Sequence, residues 1–246
     1  MRQALELLHS AVFWALVLVY SVVIHTVTNI AALFIRGDEK KEALYRASGK
    51  LWGRLLVDAA LVKVNISGLD NIPTDTNVIY TPNHQSYMDI FILLKYLPGS
   101  YKFVIMRKLF EVPVVGRHIT QAGFISLDRK DRKSSVNTIH SIIDELARGE
   151  SFVIFPEGRL TSDGSIGQFG RGTSIIIQRS RKTVVPIAID GTFDALPKGR
   201  WRIKRSLVNV KIGKPVLFED HAGDVDKDSS YALGDRLRGI VAELKG

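Results

Sequence analysis

The sequence predicts an α/β fold: a mixed, largely parallel central sheet flanked by helices, with a two-helix appendage at the amino terminus. Three observations carry this reading. Short apolar runs closed by turn residues recur along the chain, as at Val78-Ile79-Tyr80 before Thr81-Pro82-Asn83, and such runs read as buried strands. Helical patterns lie between several of these runs, and strands that alternate with helices build parallel or mixed sheets. The first strand pattern arrives only at Val62, after two long helical stretches.

Composition bounds the function. A chain of 246 residues can bury a full core, as one large domain or as a domain plus an appendage. Its 46% hydrophobic content is ordinary for a globular protein. The absence of cysteine excludes disulfides, thiol catalysis and Cys-zinc sites. The histidines show no metal-ligand spacing. The formal net charge of +9 suits anionic lipid head groups, phosphate substrates, an acidic carrier protein or nucleic acid. No internal repeat or low-complexity tract is present.

Residues 11–35 are almost wholly apolar. A membrane span needs about 20 such residues, so length permits one. Ser21, His25, Thr28 and Asn29 interrupt the second half on one helical face, and no small-residue cleavage site follows a short apolar core. After the break at Arg36-Gly37-Asp38, Glu39 to Ala60 reads as a second helix. Leu44, Ala47, Leu51 and Leu55 form an apolar stripe, and Arg46, Lys50 and Arg54 a basic one. Helices of that kind lie in the membrane interface. The expected organisation is a membrane-associating two-helix motif over residues 1–60, dipping into one leaflet rather than spanning. An α/β domain follows over residues 61–246.

Strands are expected at Val62–Ser67, Asn77–Tyr80, Lys102–Met106, Gly123–Leu127, Ser151–Phe155, Val184–Ile189 and Leu207–Ile212. Helices are expected at Tyr87–Tyr96, Arg132–Arg148 and Tyr231–Lys245, the last two with clear apolar faces. Pro186 removes a ladder donor, which predicts an edge strand or a strand that starts there.

The chemistry gathers where strands end. His84 follows the run that closes at Pro82, at the carboxyl edge where open α/β sheets bind ligands. His84 and Asp89 are five residues apart, about 140° out of line on a helix. They meet only if His84 lies in the loop and Asp89 in the first helical turn, where a carboxylate also suits the helix dipole. The pair then makes a base with an orienting partner. Alone, the same pattern is commonly a helix cap beside a solvated charge. The run Phe152 to Phe155 ends in Pro156-Glu157-Gly158-Arg159, so Glu157 and Arg159 reach the same edge. The arginine fork suits phosphate. A third run, Gly123 to Leu127, delivers Asp128-Arg129 there, with Arg107, Lys108 and Arg117 just before it.

These residues together resemble the glycerolipid acyltransferase family, in four blocks that match in order. Asn83-His84 with Asp89 matches its H-x-x-x-x-D block. Lys108, Pro113, Gly116, Gly123 and Arg129 match the second block, Phe155-Pro156-Glu157-Gly158 the third, and Val185-Pro186 the fourth. Phe169 and Gly172 fit an F-x-x-G step. The resemblance covers roughly residues 60–215, and four ordered blocks are a strong signal where one would be weak. One departure stands in the third block. The family often has E-G-T-R, whereas this chain has Glu157-Gly158-Arg159-Leu160-Thr161.

The resemblance implies a glycerol-3-phosphate acyltransferase-like fold. It implies transfer of an acyl group from acyl-ACP or acyl-CoA to the sn-2 hydroxyl of 1-acylglycerol-3-phosphate, giving phosphatidic acid. His84 would be the general base and Asp89 its orienting partner. Glu157 would bind the glycerol moiety; Arg129, Arg159 and Lys108 would hold the phosphate. Backbone amides near Gly158 would form an oxyanion hole. No cofactor and no metal is implied. The expected partners are the thioester donor, the lysophosphatidic acid acceptor and a membrane surface with anionic lipid at the cytoplasmic face of the cell membrane. No nucleic acid is expected, and the oligomeric state is left open. Three rivals stay open: an acceptor such as glycerol-3-phosphate or another lysophospholipid, a lipase or thioesterase, and a non-enzymatic basic membrane-binding module. The hydrolase reading lacks a G-x-S-x-G elbow.

Overall fold

A computed structural model of the chain describes residues 2–218 and 226–246. Seven strands form one sheet in the order β1-β7-β6-β2-β5-β3-β4. They are β1 (Lys63–Ser67), β2 (Ile79–Pro82), β3 (Lys102–Met106), β4 (Ile125–Leu127), β5 (Phe152–Val153), β6 (Val184–Asp190) and β7 (Leu207–Ile212). Every pairing is parallel except β6 with β7. The sheet is therefore mixed and mostly parallel, as expected. Its expected strands all form, although β5 keeps only two residues.

Strand alternation sorts side chains onto two faces. Tyr80, Val153, Val185 and Ile187 join one buried cluster with helices α1 (Arg2–Ala32), α2 (Asp38–Ala59) and α3 (Met88–Tyr96). Ile79, Phe152 and Val184 join a second with α6 (Arg132–Ala147), α7 (Arg171–Ser180) and α9 (Lys227–Lys245). The short helices α4 (Arg107–Phe110), α5 (Val115–Gln121) and α8 (Thr192–Ala195) complete the described elements. Side chains cap two of the long helices, as the orphan amides at a helix start require. Asp131 accepts from the amides of Lys133 and Ser134, and Asp226 from that of Ser229.

The amino-terminal helices are packed onto this core. Phe13, Leu56 and Val57 are buried in the same cluster as the sheet residues above. Helix α1 begins well before the apolar run at Ala11 and runs along α2 and the domain. His9 Nε2 lies 3.0 Å from the Ala59 carbonyl, and Asn29 Oδ1 accepts from Tyr45 Oη at 2.6 Å and Gln121 Nε2 at 3.3 Å. At 1.5 Å per residue those contacts span about 30 Å of helix. The opposite side of α1 exposes Leu5, Leu8, Val12, Val19, Val23, Val27 and Ile30.

Pro186 corrects one expectation. It lies inside β6, which is central rather than an edge strand. The reason is the direction of its missing donor. The neighbouring odd-numbered residues pair toward β2, whereas Pro186 faces the segment where the β7 ladder is interrupted and accepts from Gly213 N at 2.8 Å. Gly213 is required there, since a Cβ would stand 2.9 Å from Pro186 Cγ.

Candidate active site

Three parallel strands, β2, β5 and β4, end on one edge of the sheet and carry the site, with β3 between the last two. The turn after β2 holds His84, the turn after β5 holds Glu157, and the residues after β4 hold Arg129. Asn83 fixes the first turn by imitating a strand pairing. Its Nδ2 donates to the Ile189 carbonyl at 2.9 Å, and its Oδ1 accepts from Ile189 N at 2.7 Å. The chain then enters α3, with Asp89 in the first turn and His84 outside it, as their five-residue spacing demands.

Asp89 is fully buried. One oxygen, Oδ2, accepts from Gln85 N at 2.7 Å, Ser86 N at 2.9 Å and His84 Nδ1 at 2.9 Å. A carboxylate already accepting two amides is an acceptor toward the ring as well, so Nδ1 carries the imidazole proton and Nε2 is left as the basic nitrogen. The imidazole stacks on Phe155 with centroids 3.8 Å apart and planes at 22°. Its side chain is only 12% exposed.

Glu157 sits behind His84. Its Oε1 accepts from His84 N at 2.8 Å and its Oε2 from Gly167 N at 2.9 Å, with the residue 6% exposed. Burial raises its carboxyl above the ordinary range, and the two amide bonds oppose that rise. Gly158 takes φ +63°, and a Cβ there would meet the Arg129 guanidinium at 2.9 Å. Arg129 lies over this turn and donates to the Gly158 carbonyl. The Gly158 amide bonds to the Phe155 carbonyl at 2.9 Å and closes the turn, so it does not point outward as an oxyanion donor. His84, Asp89, Glu157, Gly158 and Arg129 are thus joined by direct contacts. Arg159 and Lys108 are exposed on the same edge, and no contact ties them to that group among the described residues.

A second feature was invisible in the sequence. An apolar cavity of about 380 Å³ opens between α1, α2, α3 and α5, within the ~300–1,000 Å³ usual for ligand sites. Trp14, Trp52, Phe91, Phe103 and Phe124 contribute to its walls. Phe155 connects it to the imidazole, since it stacks on His84 and also faces Phe103 with centroids 6.5 Å apart. Val114 on its wall has φ 66° and ψ −61°, with Val115 N bonded to the Pro113 carbonyl at 2.8 Å. This γ-turn is strained for a β-branched residue. The Gly167 amide is a partner that the sequence does not single out; Phe155 appears there only as the first residue of the third block, with no role attached.

An apolar slot beside an oriented histidine thus stands at the carboxyl edge of the sheet. The chain belongs to the Acyltransferase family, whose model matches residues 63–190. It is 34% identical over 181 residues to a chloroplastic 1-acyl-sn-glycerol-3-phosphate acyltransferase of Arabidopsis thaliana, covering 73% of this chain and 50% of that protein. A chloroplastic relative with the same activity in its name, from Brassica napus, is 34% identical over 181 residues, with 73% and 52% covered. The chain therefore spans about half the length of these curated relatives. The crystal structure of the 1-acyl-sn-glycerophosphate (LPA) acyltransferase PlsC from Thermotoga maritima superposes with a TM-score of 0.82 at 27% identity, covering 100% of both chains.

Proposed function

We propose that this chain transfers a fatty acyl group from an acyl thioester to the sn-2 hydroxyl of 1-acylglycerol-3-phosphate, giving phosphatidic acid. The observation that carries the reading is the 2.9 Å bond between His84 Nδ1 and Asp89 Oδ2 beside an apolar cavity. His84 Nε2 takes the proton of the acceptor hydroxyl as its oxygen attacks the thioester carbonyl. The C–O bond forms, the C–S bond breaks on collapse of the tetrahedral intermediate, and the imidazolium returns the proton to the departing thiolate. Asp89 holds the productive tautomer and stabilises the imidazolium. The nucleophile belongs to the substrate, so no acyl-enzyme forms.

Glu157 fixes the His84 backbone and the Gly167 turn against which the glycerol moiety rests. Arg129, Arg159 and Lys108 supply cations for the phosphate. The cavity takes the acyl chain, because burial contributes about 0.8 kcal/mol per methylene and its walls are almost wholly apolar. The donor is acyl-ACP or acyl-CoA.

Residues 1–60 act as the membrane-associating motif and residues 61–246 as the chemical domain. Helix α1 is long and apolar enough to cross a membrane. Its contacts with the domain, from Ser10 Oγ to Ile203 N and from Asn29 Oδ1 to Gln121 Nε2, favour a different placement, in which it lies in one leaflet with its exposed apolar side in lipid. The working location is the cytoplasmic face of the cell membrane.

The test is a transfer assay with purified protein, crossing acyl-ACP and acyl-CoA with lysophosphatidic acid, glycerol-3-phosphate and a lysophospholipid lacking the free phosphate. Phosphatidic acid should form from lysophosphatidic acid, and His84→Ala should remove it. Transfer to another acceptor alone would overturn the acceptor assignment. Hydrolysis without transfer would overturn the reaction.

A further inference from the structure

Between α8 and β7 the chain reads Lys198-Gly199-Arg200-Trp201-Arg202-Ile203-Lys204-Arg205, five cations without an acid. Such runs are usually solvated faces. This one is held in place. Trp14 Nε1 of α1 donates to the Trp201 carbonyl at 2.6 Å, and Ser10 Oγ of α1 accepts from Ile203 N at 3.0 Å. Ile203 is fully buried and plugs the strap into the core. Lys204 N returns to the Ala195 carbonyl at 2.9 Å. Ser86, in the turn that orients His84, bonds the Leu196 carbonyl through its Oγ at 2.7 Å. The strap is thus anchored at its base, through Leu196 and the bond from Lys204 to Ala195, beside the catalytic turn, and at its middle, through Trp201 and Ile203, to α1.

Its remaining side chains face outward. Lys198, Arg200, Arg202, Lys204 and Arg205 are exposed, and none has an ion-pair partner among the described residues. Trp201 is 49% exposed. Leu8 and Val12 are exposed on the side of α1 turned away from Ser10. Apolar helix residues, a half-exposed tryptophan and a ring of cations are the three ingredients of an anionic membrane interface.

We propose that residues 198–205 form an electrostatic docking surface for anionic phospholipid, which together with α1 sets the height of the catalytic turn above the bilayer. This rests on the membrane reading given above and adds a second, charge-dependent contact. A cation near an anionic leaflet contributes about fivefold in partitioning, so three are worth on the order of a hundredfold.

The full chain is floated with vesicles of phosphatidylcholine alone and of phosphatidylcholine mixed with phosphatidylglycerol. The triple variant Arg200→Gln, Arg202→Gln, Lys204→Gln is compared with a control, Lys130→Gln, Arg132→Gln, Lys133→Gln. The strap variant should lose on the order of a hundredfold in binding to the anionic vesicles only. It should keep its melting profile and its activity in detergent micelles. The control should keep the anionic preference, and added salt should remove that preference from the wild-type chain even if the variant folds poorly. Equal binding of the wild-type chain to both vesicles would overturn the strap proposal while leaving α1 docking intact. Binding to neither would overturn both. An undiminished preference in the strap variant, with loss of transfer from acyl-ACP alone, would reassign the strap to an acidic carrier protein and overturn the proposal.

Discussion

The carboxylate of Glu157 grips the backbone of His84: Oε1 accepts the His84 amide at 2.8 Å while Oε2 holds Gly167 N at 2.9 Å. With both oxygens engaged, the proposed role of Glu157 is to set the position of the imidazole. Glu157→Gln turns one acceptor into a donor that faces a backbone amide. A displaced catalytic group of this kind costs about 10²-fold in kcat. The loss should fall on kcat, with KM for lysophosphatidic acid little changed, and stability should drop by about 1–3 kcal/mol. A variant with wild-type kcat and a raised acceptor KM would make Glu157 a direct ligand of the glycerol instead.

His84 lies in a loop outside the two buried clusters, so its removal should leave the fold intact. His84→Ala should lower turnover by about 10²–10⁴-fold, and stability by about 1–3 kcal/mol through the lost bond to buried Asp89. Asp89→Asn keeps the side-chain shape but removes the charge that fixes the tautomer, so it should lower kcat on a similar scale. Turnover near the wild-type value in either variant would exclude the base role.

The most legible part of the sequence was the sheet edge. Apolar runs that stop at Pro82, Leu127 and Phe155 located His84, Arg129 and Glu157 together, because a buried strand leaves little choice about where its polar residues emerge. Pro186 misled because its cost depends on which neighbour its missing N–H faces, and that is set by the antiparallel entry of β7. Helix α7 was missed for another reason. Its polar Thr173, Ser174 and Gln178 are buried, with Gln178 Oε1 accepting from Ser230 Oγ of α9, so the amphipathic pattern is blurred. Helices α4 and α8 have four residues each, too few to show a period. The cavity is assembled from separate helices and the β3 strand, and no local pattern encodes it.

Gly49 on α2 lines that cavity, and the nearest atom to a Cβ placed there is His118 Nε2 at 4.0 Å. A larger side chain would fit and would fill space otherwise open to an acyl chain. Gly49→Leu should stabilise α2 by about 0.5–1 kcal/mol, since a glycine inside a helix is unfavourable. It should also shift donor preference toward shorter chains. Excluding about two methylenes forfeits about 1.6 kcal/mol of burial, more than a tenfold change in relative kcat/KM. An unchanged chain-length profile in a variant with the expected rise in stability would mean that the acyl chain does not reach α2.

The same cavity wall holds a titratable group. His118 of α5 lies within hydrogen-bonding distance of the Tyr45 carbonyl, 3.1 Å, and Ser48 Oγ, 3.3 Å, both on α2. Burial pushes its imidazole below the ordinary value; the Tyr45 carbonyl opposes this and nearby His25 adds to it. The unfolded chain therefore binds this proton at higher pH than the folded chain does. Stability from this group is fully present above about pH 6.5 and is lost as pH falls from there toward the lowered folded value. The thermal midpoint in detergent should fall between neutral pH and mild acid, and His118→Gln, which keeps a donor for Tyr45 but cannot titrate, should flatten that fall. Because α1, α2 and α5 meet here, acid should first loosen the helices that enclose the cavity, read as faster amide exchange in α5 than in β2 and β6. An identical pH slope in wild type and variant would remove His118 from this role.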